Sequence, residues 1–137
     1  MKSVRSYPHE FNLVITTTPE ELNDQNLLEQ VKKLNRETAG ISDLKEIGDC
    51  HNLEDVSKLT VEATIRAGSS ENDGPGSLFA LLIPDNKLVF GLARACQTFA
   101  EDRRKSVMIF AGIEKALEWL SLCEEAKVKV GKMLKSA

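Results

Sequence analysis

The chain has 137 residues, 42% hydrophobic and 28% charged, with 18 basic against 21 acidic side chains and a formal net charge of −3. These are the proportions of one globular domain able to bury a core, and they exclude wholesale disorder and a collagen-like repeat. There is no basic excess of the kind that drives nonspecific binding to phosphate backbones, and no stretch approaches the roughly 18 apolar residues of a membrane span. Nucleic acid and a membrane span are therefore not expected as partners. The opening MKSVRSYPHE has no apolar run behind its basic residues, which places the protein in the cytoplasm. Cys50, Cys96 and Cys123 are an odd number with no close pairing. That spacing suits neither a disulfide framework nor a zinc site, so reduced, mostly buried thiols are expected.

Residues 11–18 (FNLVITTT) are β-branched and apolar and read as a strand, followed by a helical pattern through Leu27, Leu28, Val31 and Leu34. Two starts are open to that helix. Thr18 could cap it with Pro19 at the first helical position, or Asn23 or Asp24 could cap a later start; the later one is preferred because the periodicity begins at Leu27. Gly40 is the expected stop. Residues 43–50 (DLKEIGDC) form a weaker strand in which Leu44 and Ile47 do not alternate cleanly. From residue 53 to 67, Val56, Leu59, Ala63 and Ile65 recur at near-helical spacing and predict a second helix ending at Gly68. The segment SSENDGPG, residues 69–76, reads as an exposed loop.

Residues 78–83 (LFALLI) are an unbroken apolar run ending at Pro84, as in a strand covered on both faces. Asp85 and Asn86 can cap a helix with a stripe of Leu88, Leu92, Ala95 or Cys96, and Phe99; residues 107–111 (VMIFA) form a second apolar strand. A last helix carries Ile113, Ala116, Leu117 and Leu120. Strict alternation of strand and helix predicts an α/β layer with right-handed crossovers and a four- or five-stranded, mostly parallel sheet.

Three local patterns coincide: IPDNKLVFGLAR at residues 83–94, VMIF at 107–110 and EKALEWL at 114–120. Together they resemble the STAS-like family of small bacterial proteins related to anti-sigma-factor antagonists. In that family a strand ending in proline leads to a helix with a Tyr/Phe-Gly-x-x-Arg core, then a strand ending in Phe and a helix with Ala-x-x-Trp-Leu. The resemblance covers residues 78–120 and implies a STAS-like α/β fold, related more distantly to CRAL-TRIO lipid-binding domains. It implies no activity.

True antagonists carry a phosphorylatable serine at the start of their second helix, in Asp-Ser-Ser-Gly-Leu. The closest segment is Asp55-Val56-Ser57-Lys58-Leu59, which makes Ser57 the candidate phosphorylation site. A phosphate in a first helical turn would face unpaired N–H groups and the positive end of the dipole. Ser57 lies in the first turn if Asp55 is the cap and in the second turn if Asn52 is. Gly91 and Arg94 are the residues most typical of the resembled family. The structural role has Gly91 admitting a close approach of helix to sheet and Arg94 reaching a carboxylate or carbonyl. The alternative makes Arg94 a ligand or interface anchor at a crevice beside the strand C-termini.

His9 and His51 belong to no recognisable catalytic or metal-ligand spacing. Adjacent Cys50 and His51 would point to opposite faces of a strand, so no catalytic residue, metal or cofactor is expected and the protein is not read as an enzyme. Beyond Trp119 an apolar stripe continues through Leu122, Ala126, Val130 and Met133 or Leu134, with Lys127, Lys129, Lys132 and Lys135 on the other sides. This divides the chain into a STAS-like domain at 1–122 and a C-terminal helical extension or tail at 123–137. An apolar face beyond its own core calls for a partner, here a homodimer through the last helix. The expected function is a noncatalytic STAS-like binding or regulatory module acting through protein–protein contact. The alternative is a carrier holding a small molecule or lipid in an apolar cavity between sheet and helices.

Overall fold

The computed structural model describes residues 13–38, 43–68, 77–100 and 106–135. Among them the elements run β1 (Leu13–Thr17), α1 (Asp24–Glu37), β2 (Lys45–Asp49), α2 (Val61–Gly68), β3 (Leu78–Leu82), α3 (Lys87–Ala100), β4 (Ser106–Phe110), α4 (Ile113–Trp119) and α5 (Glu124–Lys135). The segments around His9, Gly40 and residues 69–76, and the side chains of Phe99, Met133 and Leu134, lie outside the described residues.

The strands form one all-parallel sheet in the order β1-β2-β3-β4. This is the expected α/β architecture, with four strands. Each new strand adds to the same edge, so crossovers of one hand lay α1, α2 and α3 on a single face, and α4 and α5 cover the other. The pleat divides the strand residues accordingly. Leu13, Ile15, Ile47, Ala80 and Leu82 meet Ala116, Leu117, Leu120, Leu122, Ala126 and Val130 in one buried cluster. On the opposite face Leu81 and Val107 meet Ala93 and Cys96 of α3. The apolar run at 78–82 is central, paired on both sides; β4 is an edge, and its Met108 is 41% exposed.

The later start of the first helix is the one observed. Asn23 Oδ1 accepts from Asn26 N at 2.8 Å, and at the other end Thr38 N and Oγ1 both donate to Leu34 O. Asn86 caps α3, accepting from Leu88 N and Val89 N at 2.9 and 3.2 Å. On α3, Cys96 is buried and Leu92 partly buried as expected, but Val89 and Ala93 join them in place of Leu88, which is 71% exposed.

The second helix begins at Val61, eight residues later than predicted. Residues 53–56 are extended instead, bridging to the segment after β1: Glu54 N and Asp55 N donate to Glu20 O, and Leu22 N donates to Asp55 O. Leu53 and Val56 do not build a helical face. With Leu22 and Val89 they form a third cluster. The cap of α2 is Thr60, whose Oγ1 accepts from Ala63 N at 3.1 Å. Asp24, in the first turn of α1, accepts from Thr60 N at 2.7 Å and Thr60 Oγ1 at 2.8 Å, so one carboxylate ties the two helix starts together. Thr60→Ala is expected to lower stability by about 1–2 kcal/mol, through the lost cap and the lost hydroxyl bond to Asp24, with Thr60→Ser close to wild type. Urea midpoints of the two variants measure this.

The last helix is two helices. Leu120 caps α4 after Trp119, and Ser121 adopts φ 55°, which turns the chain so that α5 folds back on the sheet. Leu122, Ala126 and Val130 are 7%, 0% and 1% exposed in the same cluster as Ile15. As far as Val130, the stripe expected to run past the domain edge packs in this chain's own core. Leu122, Ala126 and Val130 are thus not free to meet a second copy.

Candidate functional site

The face of the sheet under α1, α2 and α3 is the loosely filled one. The backbone of α1 rests on α2, and that of α2 on both α1 and α3, whereas α3 lies directly on β4. Although α1 has a clear apolar stripe, none of its residues is buried. The strand residues beneath offer little to pack on, because β2 presents Glu46 and Gly48 to this side. A Cβ at Gly48 would come within 2.9 Å of the Phe79 ring, so glycine here lets that ring lie across the strand. What remains is a cavity of about 140 Å³. Its floor is Thr16, Gly48, Phe79 and Leu81. Its roof comes from Leu27, Gln30, Val31 and Leu34 of α1, Thr64 and Ala67 of α2, and Leu92, Ala93 and Cys96 of α3; Cys50 and Leu53 close one end.

Cys50 keeps part of its surface accessible, but its thiol is enclosed, and burial pushes it up to about 11, only partly offset by the hydroxyl of Thr18 beside it. It is a neutral wall of the cavity at ordinary pH, not a nucleophile. Exposed Cys123 is expected to react with a thiol probe at neutral pH well before Cys50 or buried Cys96, as read by peptide mapping. Because the folded value lies above the unfolded one, the contribution of Cys50 to stability is complete below about pH 9 and is lost as pH rises through 11. The loss is on the order of 2 kcal/mol, and Cys50→Ala removes that alkaline slope.

His51 does not pair with Cys50. Its Nδ1 lies 2.9 Å from Asp49 Oδ1 and its Nε2 lies 2.9 Å from Ala111 O, so the ring straps the end of β2 to the turn after β4, across the end of β3. Both nitrogens face oxygen acceptors, and neither lies beside a nucleophile from which it could take a proton. Among the described residues no group of three His, Cys, Asp or Glu could hold a metal ion, and no helix is long and apolar enough to cross a membrane.

Ser57 sits in a turn four residues before α2, not in a helical turn. Its N and Oγ both donate to Asp55 Oδ1, at 2.9 and 2.6 Å, and these bonds hold the Asp55 carboxyl below the usual range. The hydroxyl is exposed, but a phosphate there would adjoin a carboxylate and not the unpaired N–H groups that motivated the site. Gly91 is exposed, with open space where a Cβ would stand, so it admits no close approach; Gly48 has that role. Arg94 Nη1 donates to Gln97 Oε1 at 2.6 Å, and Gln97 Nε2 donates to Val107 O at 2.8 Å. Arg94 thus braces the outer surface of α3 through Gln97, reaching a strand carbonyl by relay. A sheet ordered 1-2-3-4 has no reversal of strand order, hence no switch-point crevice for Arg94 to border.

No family model matches the chain, and comparison with curated proteins and with solved structures finds no match. The geometry of the cavity therefore carries the functional argument by itself. Sequence reasoning anticipated a cavity between sheet and helices as an alternative but named none of its residues.

Proposed function

We propose that the protein is a noncatalytic, STAS-like binding module whose cavity beneath α1 and α2 holds one small apolar molecule. The observation that carries this is an amphipathic helix of 14 residues standing off its sheet, with no buried residue of its own, over a void of about 140 Å³. The opposite face of the same sheet is packed to near-zero exposure, so the looseness is local. The volume is close to that of an apolar cavity of about 150 Å³ that accepts benzene. It falls below the roughly 300 Å³ at which drug-sized pockets begin, which narrows the carrier alternative to a single-ring molecule and disfavours a lipid chain.

Regulation through a protein partner would use the other side of α3, where Leu88 and Phe90 are 71% and 48% exposed while Leu92 and Ala93 line the cavity. The cavity function is tested with benzene as the probe. Binding to the native state alone raises the melting temperature by mass action, by several degrees at a hundredfold excess over Kd. No rise at saturating benzene would count against the proposal.

A further inference from the structure

We infer that Gln30 is the polar anchor of the cavity and that its occupant is a neutral, ring-sized molecule bearing one hydrogen-bond acceptor, such as a ketone or amide oxygen. This rests on the cavity function proposed above and specifies its ligand class.

Gln30 stands on the inward stripe of α1 between Leu27 and Leu34, where an apolar residue would continue the pattern, and it lines the cavity with both. Its Nε2 is buried and has no hydrogen-bond partner. A buried donor left unpaired is costly, and native proteins satisfy the great majority of such groups. Thr18 and Thr64, also in the lining, donate their hydroxyls to backbone carbonyls, Asp49 O for Thr18 and Val61 O for Thr64. The amide of Gln30 is therefore a donor that an occupant can use. Glu46 stands in the same lining, so a carboxylate occupant would place a second negative charge beside it, which disfavours an anionic ligand. A neutral acceptor fits all three constraints of size, charge and donor.

The test titrates cyclohexanone and methylenecyclohexane, rings of one shape with and without the oxygen, into wild type and Gln30→Met by calorimetry. Comparing the ratio of the two dissociation constants between the proteins cancels the different solvation of the ligands. The ratio is expected to shift against the ketone by about five- to tenfold in the variant, with methylenecyclohexane bound as well as before or better. An unchanged ratio overturns the role of Gln30 while leaving the cavity function intact. Binding of the hydrocarbon but not the ketone to wild type overturns the acceptor class. If neither ring binds either protein, the cavity function fails and the inference fails with it. Gln30→Leu repeats the comparison should Gln30→Met not fold.

Discussion

A chain ending at Cys123 is expected to lose cooperative folding. The prediction follows from where α5 sits. Ala126 and Val130 are completely buried against a cluster that includes Leu13, Ile15 and Ile47. The backbone of α4 lies against β3 and β4, which leaves α5 to close the cluster over the β1 and β2 residues. Uncovering such side chains costs about 1.5–3 kcal/mol each. Four or five of them together approach the entire 5–15 kcal/mol or so that holds a domain folded. Thermal melts by circular dichroism should therefore show a broad, non-cooperative transition, and Val130→Asp in the full chain should lose several kcal/mol by placing an unpaired charge in the same cluster. A shortened chain melting cooperatively within a few degrees of the full one would show that α5 is a tail.

Filling the cavity is expected to separate binding from stability. Ala93 is 8% exposed on the inward side of α3, between Val89 and Cys96, and borders the void. Ala93→Leu adds three carbon atoms where space exists, so its stability should match or exceed wild type by up to about 1 kcal/mol, as cavity-filling changes do. The same atoms occupy the place of a ring, and benzene binding should weaken at least tenfold. In a packed core the same change would cost roughly 1–3 kcal/mol through overpacking. Urea unfolding and calorimetry on one preparation give both numbers, and a variant that is destabilised yet still binds would place the ligand elsewhere.

What could be read from the residues was whatever depends on local pattern. The apolar run at 78–83 announced a central parallel strand because both its faces are covered, and the pairs Asn23/Asp24 and Asp85/Asn86 announced helix starts, which Asn23 and Asn86 cap. The misplaced start of α2 has a definite cause. Leu53 and Val56 are three apart, the spacing of a helical face, but an extended loop paired with residues 20–22 uses them against Leu22 and Val89. The break between α4 and α5 went unread because it turns on Ser121 in a left-handed conformation with no glycine to mark it, and the apolar period continues across it.

The cavity is the least local feature, since it is an absence of packing among six elements. Two signals for it were nevertheless present. A strand of the pattern KEIGD turns Glu46 and Gly48 to the same side, which gives overlying helices a carboxyl and a bare backbone to rest on. Gln30 interrupts an otherwise apolar stripe on the helix above. The resemblance at residues 83–94 pointed instead to Gly91 and Arg94, which the fold places on the outer surface of α3.

The central claim is that the space under α1 and α2 is a binding site and not a packing defect, and a two-dimensional ¹H–¹⁵N titration with benzene tests it most directly. The account predicts saturable shifts confined to one face of the sheet and its helices, at Thr16, Gly48, Leu81 and Ala93, with Ala116, Ala126 and Val130 on the other face unchanged. Shifts that fail to saturate, or that spread equally to the α4 and α5 side, would contradict it.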